Sequence, residues 1–307
     1  MIDKKDVCII RAKLKDDYVW NAIKGYGFEI IIPYKDKNIF LRLMREIWYK
    51  LNFPRKDIWY NSKLKTIEEK TIIVYDPLIT SELLNWLNTR YPDKRIVISY
   101  ENRADSTINP SMVNNSIEKW SYDQEDCKRY GMRFVAPNYF DVYSLDARKY
   151  KKKWDVLYLG RDKGRMHQIL EYERMLKVQK LKTYFHICAD RSYLRFKSKN
   201  YKSVLNYKEY LEMLKKSKAI LNITREGQTS ITQRELEAVF FNVKCITTNK
   251  AVKKFELYDA SRYFILDSDD INEIDKFMEK PFKIVNDSIL ETYKYEFVLE
   301  KLLESEK

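Results

Sequence analysis

The sequence has few of the residues that commonly mark a cofactor or metal site. Glycine occurs six times and histidine twice in 307 residues. None of the glycines falls into G-x-G-x-x-G or the phosphate-loop pattern, which disfavours an ordinary dehydrogenase or P-loop kinase. Gly25 and Gly27 stand before the second apolar run, the wrong place for a dinucleotide turn. The four cysteines (Cys8, Cys127, Cys188 and Cys245) are far apart, and three lie in apolar, strand-like runs. They are expected to be reduced core residues of a cytoplasmic protein rather than disulfides. With no paired-cysteine spacing and no ligand-type neighbours around His167 or His186, no metal site is expected. Nowhere do the roughly 18–20 apolar residues of a membrane span follow one another. The first six residues, Met1 to Asp6, carry acids and no signal-type apolar stretch, so export is not expected. Internal repeats and low-complexity tracts are also missing.

Positive charge is plentiful: 58 lysines and arginines against 45 acids give a net charge of +13. Such an excess suits an anionic partner, whether nucleic acid, an anionic bilayer or a phosphate-bearing ligand. The abundance of lysine, with 24 tyrosines, also fits an AT-rich genome. Because the basic residues are spread along the chain and form no recognised nucleic-acid module, a nucleic-acid-binding protein is the alternative reading and not the leading one.

Short β-branched and aromatic runs alternate with helical patterns from end to end, which predicts an α/β protein with parallel sheets. In the first half the strand candidates are Val7–Ile10, Phe28–Pro33, Asp57–Tyr60, Thr71–Tyr75, Arg95–Tyr100, Lys119–Tyr122 and Met132–Ala136. The helical patterns there cover 16–24, 37–52, 79–90 and 123–130. The alternation restarts with Trp154–Leu159, Lys182–Cys188, Lys218–Thr224, Val243–Thr247 and Tyr263–Leu266. Helices are expected near 164–179, 207–217, 231–241, 250–257 and 270–278, with a closing helix over Ile289–Leu303. Between the halves lie five basic residues in six, Arg148 to Lys153, a self-repelling run suited to a linker, with a basic loop at an anionic site as the alternative. The expected division is 1–147, 148–285 and a terminal helix in 286–307 that returns to the first domain. Two Rossmann-like domains facing each other would place ligands at the carboxyl ends of their strands.

The most informative stretch runs from Lys218 to Phe241. A buried strand ends near Thr224, a loop containing Gly227 follows, and a helix opens at Ser230 to Thr232. Ser230 with Gln233, or Thr232 with Glu235, matches a capping box. The unpaired amides and positive dipole end of that helix suit a phosphate. Gly227 permits close backbone approach, and Arg225 can add a charged contact. Glu235 has two readings: a carboxylate that takes ribose hydroxyls, or the member that completes the cap.

These elements resemble the donor half of GT-B glycosyltransferases of bacterial capsule and lipopolysaccharide synthesis. The resemblance rests on Asp155 to Gly160, Leu214 to Thr224, Gln228 to Glu237 and Lys244 to Asn249, and is sharp only over 154–249. Trp120 to Gly131 is similar to the segment that ends the family's first domain. The resemblance implies a nucleotide-sugar donor, expected to be UDP- or GDP-linked, in the second domain. It also implies a glycan or lipid-linked acceptor on the first, and transfer without an obligatory metal or other cofactor. Gly160, Arg161 and Lys163 would face the donor phosphates. Gln228, Thr229, Ser230 and Thr232 would form the phosphate-binding helix start, Glu235 would hold the ribose, and Thr248 and Asn249 would end the next strand beside them. The glutamate pair of many retaining members is not matched, because Glu226 stands one residue too far from Glu235. The donor motif is clearer than any catalytic base, so a nucleotide-sugar-binding protein without turnover is a further alternative.

An inverting transfer needs a base near the acceptor. Asp76, directly after a strand, and Asp16 and Asp17, before the first helix, are the candidates; Asp76-Pro77 also suits a plain turn. Tyr263 to Asp270 ends an apolar strand in Asp-x-Asp, and its position late in the chain favours a helix cap over a metal site. Finally, residues 38–56 interleave Phe40, Leu43, Met44, Ile47, Trp48, Leu51 and Phe53 with Arg42, Arg45, Lys50, Arg55 and Lys56. A core helix gives the same apolar stripe. An interfacial helix on the inner face of an anionic membrane is the sharper expectation.

Overall fold

Runs such as Thr71–Tyr75 and Arg95–Tyr100 are apolar and β-branched on successive residues, as strands covered on both faces require. A computed structural model describes the chain except residues 1, 2, 15, 16, 36, 37, 191–197, 226, 228 and 305–307. The chain divides into two compact units, Met1–Ala136 with Glu296–Lys307, and Pro137–Tyr295.

The first unit carries β1 (Val7–Ile10), β2 (Ile30–Ile31), β3 (Thr71–Tyr75), β4 (Arg95–Tyr100), β5 (Glu118–Ser121) and β6 (Arg133–Phe134). They form one sheet in the order β2-β1-β3-β4-β5-β6, with every pair parallel. The chain leaves β1 toward β2 and returns to β3 on the other side, so the carboxyl ends of β1 and β3 flank a topological switch point. Helices α1 (Tyr18–Gly25), α2 (Ile39–Lys50), α3 (Ser81–Arg90) and α4 (Gln124–Tyr130) lie between the strands. Asp123 caps α4 by accepting from the Glu125 and Asp126 amides, and Gly131 ends it at φ +62°, a conformation that disfavours any side chain. Leu83, Leu84 and Leu87 of α3 pack with Ile72, Val74, Ile96 and Ile98 in the core of this unit.

The second unit repeats the plan with β7 (Trp154–Arg161), β8 (Thr183–Cys188), β9 (Tyr201–Lys202), β10 (Ser217–Asn222), β11 (Lys244–Thr247) and β12 (Tyr263–Ile265). Its order is β12-β11-β10-β7-β8-β9, again all parallel, and the switch point falls between β7 and β10. Helices α5 (Met166–Val178), α6 (Tyr207–Leu214), α7 (Gln233–Phe240), α8 (Ile274–Glu279) and α9 (Asp287–Glu291) complete it. Its own core joins Val156, Ile187, Leu221 and Ile246 to Ile169 and Leu176 of α5. The last helix, α10 (Tyr295–Leu303), groups with the first unit from Glu296 onward. There the Arg95 guanidinium donates to the Leu303 carbonyl at 2.9 Å.

Several local expectations change. Asp57–Tyr60 is a 3-10 turn, Lys56–Trp59, rather than a strand; Arg55 enters it at φ +56°, and Tyr60 alone makes a bridge, to Tyr34. The helix expected at 250–257 is a 3-10 turn, Lys250–Lys254, and β9 was not foreseen. The continuous helix expected over Ile289–Leu303 breaks between α9 and α10. Tyr139 inserts its backbone there, donating to the Tyr293 carbonyl at 2.7 Å and accepting from the Tyr295 amide at 3.0 Å. The division between units falls at Ala136/Pro137 and not in the basic run 148–153. That run packs within the second unit: the Lys152 ammonium donates to the carbonyls of Ala147 and Lys215, and the Lys153 amide to that of Lys216.

Candidate functional site

Parallel strands bring their carboxyl ends to one edge, and in the second unit that edge is built from β7, β10 and β11. Beyond β10 and β11 lies a cavity of about 400 Å³, lined by Gln168, Thr224, Arg225, Gly227, Thr248, Asn249, Lys250 and Ala251. Gly227 adopts φ +73°, so the loop turns there in a way a side chain would oppose. Thr248 ties the two strand ends together: its hydroxyl accepts from the Thr224 amide at 2.9 Å and lies 3.1 Å from the Thr224 hydroxyl.

Positive charge gathers beside this cavity. Lys163, at φ +47° after β7, is exposed. Crowding by surrounding atoms lowers its ammonium pKa from the ordinary lysine value, and the charges of Arg225, Arg165 and Arg161 lower it further, with Asp190 opposing. Arg165 donates to the carbonyls of Ile223 and Thr224, both at 2.9 Å, and so pins the strand end that carries Arg225. Arg161 is folded back onto the carbonyls of Ala189 and Asp190. The positive charges of these four side chains reinforce one another in a field that would attract an anion.

Glu235 occupies a different environment from a reachable ribose ligand. Its side chain is fully buried at the start of α7. Oε1 accepts from Asn222 Nδ2 at 2.8 Å, Thr247 Oγ1 at 3.0 Å and Asn249 Nδ2 at 3.1 Å, while Oε2 accepts from the Thr232 amide. Burial raises this carboxyl's pKa in spite of those donors. Of the two readings of Glu235, the geometry is that of the cap, extended into a bolt across the ends of β10 and β11. Thr232 is the N-cap of α7, and its hydroxyl accepts from Asn222 Nδ2 at 3.1 Å. Ser230 is buried and Thr229 half-buried. Gly160 ends close to the Tyr158 hydroxyl, which an added Cβ would meet at 3.3 Å.

Of the expected donor residues, Arg225, Gly227, Thr248 and Asn249 line the cavity, and Lys163 and Arg161 belong to its cationic margin. Gly160, Thr229, Ser230, Thr232 and Glu235 do not line it, and Gln228 lies outside the described residues. Gln168, Thr224, Lys250 and Arg165 were missed. Lys250 directly follows the Thr248-Asn249 strand end, a signal that was available; Gln168 and Arg165 sit on a helix start that carries no motif.

In the first unit the carboxyl edge gathers Asp17 and Glu101 around Arg11, with Asp76 beside Glu101. Arg11 is buried and donates to Asp17 Oδ2 and to Glu101 through two nitrogens. Asp17 caps α1 by accepting from the Trp20 amide at 3.1 Å. Asp76 is fully buried and accepts from the Glu101 amide and from Asn102 Nδ2. Burial, with the Glu101 charge nearby, pushes the Asp76 carboxyl up to about 6. These two carboxylates organise the edge and are already committed to protein donors. Asp16 lies outside the described residues. Glu101, first residue after β4 and absent from the expected set, is the reachable carboxylate of the three, its side chain 27% exposed.

In the Asp-x-Asp stretch, Asp267 accepts from the Tyr172 hydroxyl and Asp269 from the Ile265 amide, and only the following Asp270 is the expected cap, of a 3-10 turn. Among the described residues no three His, Cys, Asp or Glu side chains come together as a metal site would need.

No protein-family model matches this chain. No curated protein matches it either. Solved structures do. AviGT4, a glycosyltransferase involved in avilamycin A biosynthesis, is 11% identical with a TM-score of 0.62, over 97% of this chain and 95% of that one. The lipopolysaccharide outer core galactosyltransferase WaaB is 13% identical with a TM-score of 0.54, over 97% and 98%. A glycosyltransferase from Rickettsia africae is 11% identical with a TM-score of 0.52, over 97% and 96%. The fold is therefore that of GT-B glycosyltransferases, two Rossmann-like α/β domains matched over almost the full length of each chain.

Proposed function

We propose that this protein transfers a sugar from a nucleotide-sugar donor, UDP- or GDP-linked, to a glycan or lipid-linked acceptor in bacterial surface-glycan assembly, at the cytoplasmic face of the membrane. The observation that carries the reading is the cavity at the edge of β10 and β11 with its margin of Lys163, Arg161, Arg165 and Arg225. A nucleoside diphosphate leaves with extra negative charge as the glycosidic bond breaks. Preorganised cations and backbone amides at that position stabilise the departing group more than the intact donor, and that difference accelerates transfer. Gly227 allows the backbone to approach the diphosphate, and Thr224 and Thr248 present hydroxyls beside it. For the acceptor hydroxyl, Glu101 is the proposed base, held in place by Arg11 and by its own amide on Asp76; Asp17 and Asp76 are positioning residues. The fold shared with the three glycosyltransferases supports the reading of sugar transfer.

The test is a thermal-shift series with UDP, GDP and their sugar conjugates. A ligand at a hundred times its dissociation constant stabilises the folded state by about 2.7 kcal/mol, a shift of several degrees. The reading expects one nucleotide family to give that shift and Arg225→Ala with Lys163→Ala to abolish it. A chain stabilised by no nucleotide, or equally by generic DNA in a salt-dependent way, would sink it in favour of nucleic-acid binding.

A further inference from the structure

Helix α2 covers a cation and leaves most of its apolar side chains exposed. The one fully covered side chain within it is Arg45, whose guanidinium lies 3.8 Å from the centre of the Tyr34 ring. Leu41, Trp48 and Tyr49 are half-buried on its inner side, but most of its apolar residues face the other way: Ile39, Phe40, Leu43, Met44 and Ile47, with Leu51 just beyond, are each between 42% and 78% exposed. At 100° per residue these six fall within one arc of about 140°. A core helix would bury that arc. Scattered exposed apolar side chains need no explanation, but six on one helical face make a patch that marks an interaction surface. Lys50 falls within the arc at its C-terminal end, Arg42 stands about 60° outside it and Arg55 follows the helix, all exposed; Glu46, the acid among them, lies between Arg42 and the arc, 3.1 Å from Arg42.

We infer that α2 lies in the headgroup region of an anionic bilayer, the apolar arc inserted and Arg42, Lys50 and Arg55 on lipid phosphates. Charge decides the occupant. An isologous pairing of two copies would bring the same basic margin against itself, whereas an anionic lipid surface complements it and also attracts a chain of net charge +13. The arrangement also removes Arg45 from the lipid contacts that the sequence suggested, since its side chain is spent on Tyr34. Docking through α2 stands on this helix alone and does not require glycosyl transfer.

The full chain is to be sedimented with vesicles of phosphatidylglycerol and phosphatidylcholine, and with vesicles of phosphatidylcholine alone. Binding is expected to the first, weakening with salt. Phe40→Gln with Ile47→Gln is expected to reduce partitioning at least tenfold. Arg42→Gln with Lys50→Gln should reduce it about twenty-five-fold, near fivefold per cation at an anionic surface. Because all four side chains are exposed, the melting temperature and any nucleotide-induced shift should stay as in the parent, which separates this result from the donor-site reading. Parent protein that stays in the supernatant with anionic vesicles overturns the proposal. So does a Phe40→Gln/Ile47→Gln variant that sediments like the parent, or a dimer in vesicle-free ultracentrifugation that this variant dissociates while vesicle binding is absent.

Discussion

Four donors converge on the buried carboxylate of Glu235, from Thr232, Asn222, Thr247 and Asn249. Removing it leaves the buried Thr232 amide and Thr247 hydroxyl without this acceptor, while Asn222 and Asn249 keep the Thr232 hydroxyl and the Ser230 carbonyl, respectively. Glu235→Ala is therefore expected to cost on the order of 3 kcal/mol or more in stability. A urea midpoint measured beside calorimetric donor affinity checks this; a tenfold loss of affinity at an unchanged midpoint would restore the ribose role. Sequence could place this glutamate in the first turn of a helix and name both readings, but the choice depended on Asn222, Thr247 and Asn249, which arrive from two other strands. Asp76 poses a similar problem, since a carboxylate after a strand looks the same in sequence whether exposed or buried. Its carboxyl pKa is raised from 3.8 to about 6 in the folded chain. The folded state thus holds a proton that the unfolded state releases between those values. The resulting stabilisation is complete below pH 3.8 and is lost as pH rises through 6, by roughly 3 kcal/mol. In urea titrations from pH 4 to 7, the parent should lose that increment relative to Asp76→Asn. Parallel pH curves for the two proteins would contradict the burial argument.

Among the elements, those with an uninterrupted apolar period were the legible ones: Val7–Ile10, Thr71–Tyr75 and Arg95–Tyr100 appear in the fold with the bounds expected of them. Short or interrupted elements were not. The two-residue β9 has no period to read, and the break between α9 and α10 is imposed by the Tyr139 backbone, more than 150 residues earlier in the chain. Helix α2 shows the limit most clearly, because its amphipathic pattern was visible but the side that faces the core was not. Within the second unit, α6 and α7 are joined by Glu237, fully buried, which accepts from Tyr207 Oη at 3.0 Å, from Tyr210 Oη and from Arg234 Nη1 at 2.7 Å. Arg234 continues to the Leu159 carbonyl of β7 at 3.0 Å. Glu237→Ala is expected to destabilise the chain by about 3–5 kcal/mol, the range for a buried ion pair cut on one side. Chemical denaturation reads it directly, and a loss below 1 kcal/mol would mean that the helices are held by apolar packing alone.

At the scale of the whole chain, one restart of strand–helix alternation was enough to reveal two parallel α/β units, because each must bury its own sheet on both faces. The boundary was less legible: charge density drew attention to 148–153, while the packing of 137–147 depends on partners such as Phe241 and Tyr293 that come much later. A chain stopped after Lys294 would lose the buried Val298, Leu299 and Leu302 and the Arg95 contact to Leu303. At about 1.5–3 kcal/mol per buried aliphatic side chain, the first unit should be destabilised by on the order of 5 kcal/mol. Hydrogen exchange should then rise across β1, β3 and β4 while protection in β7, β10 and β11 persists. Uniform loss of protection in both units would show that they unfold as one.

The second unit is a single uninterrupted stretch, whereas the first is assembled from two stretches that lie on either side of it. During translation this inverts the order of completion. Residues 1–136 emerge first, yet their unit lacks Val298, Leu299 and Leu302 until the ribosome has passed through all of 137–295. The later-made unit can therefore close its core while the earlier-made one is still waiting, at ordinary elongation speeds for about ten seconds or more. Meanwhile the apolar positions that α10 will cover stay open to chaperones, and a stalled or truncated product carries its defect in the half that was synthesised first.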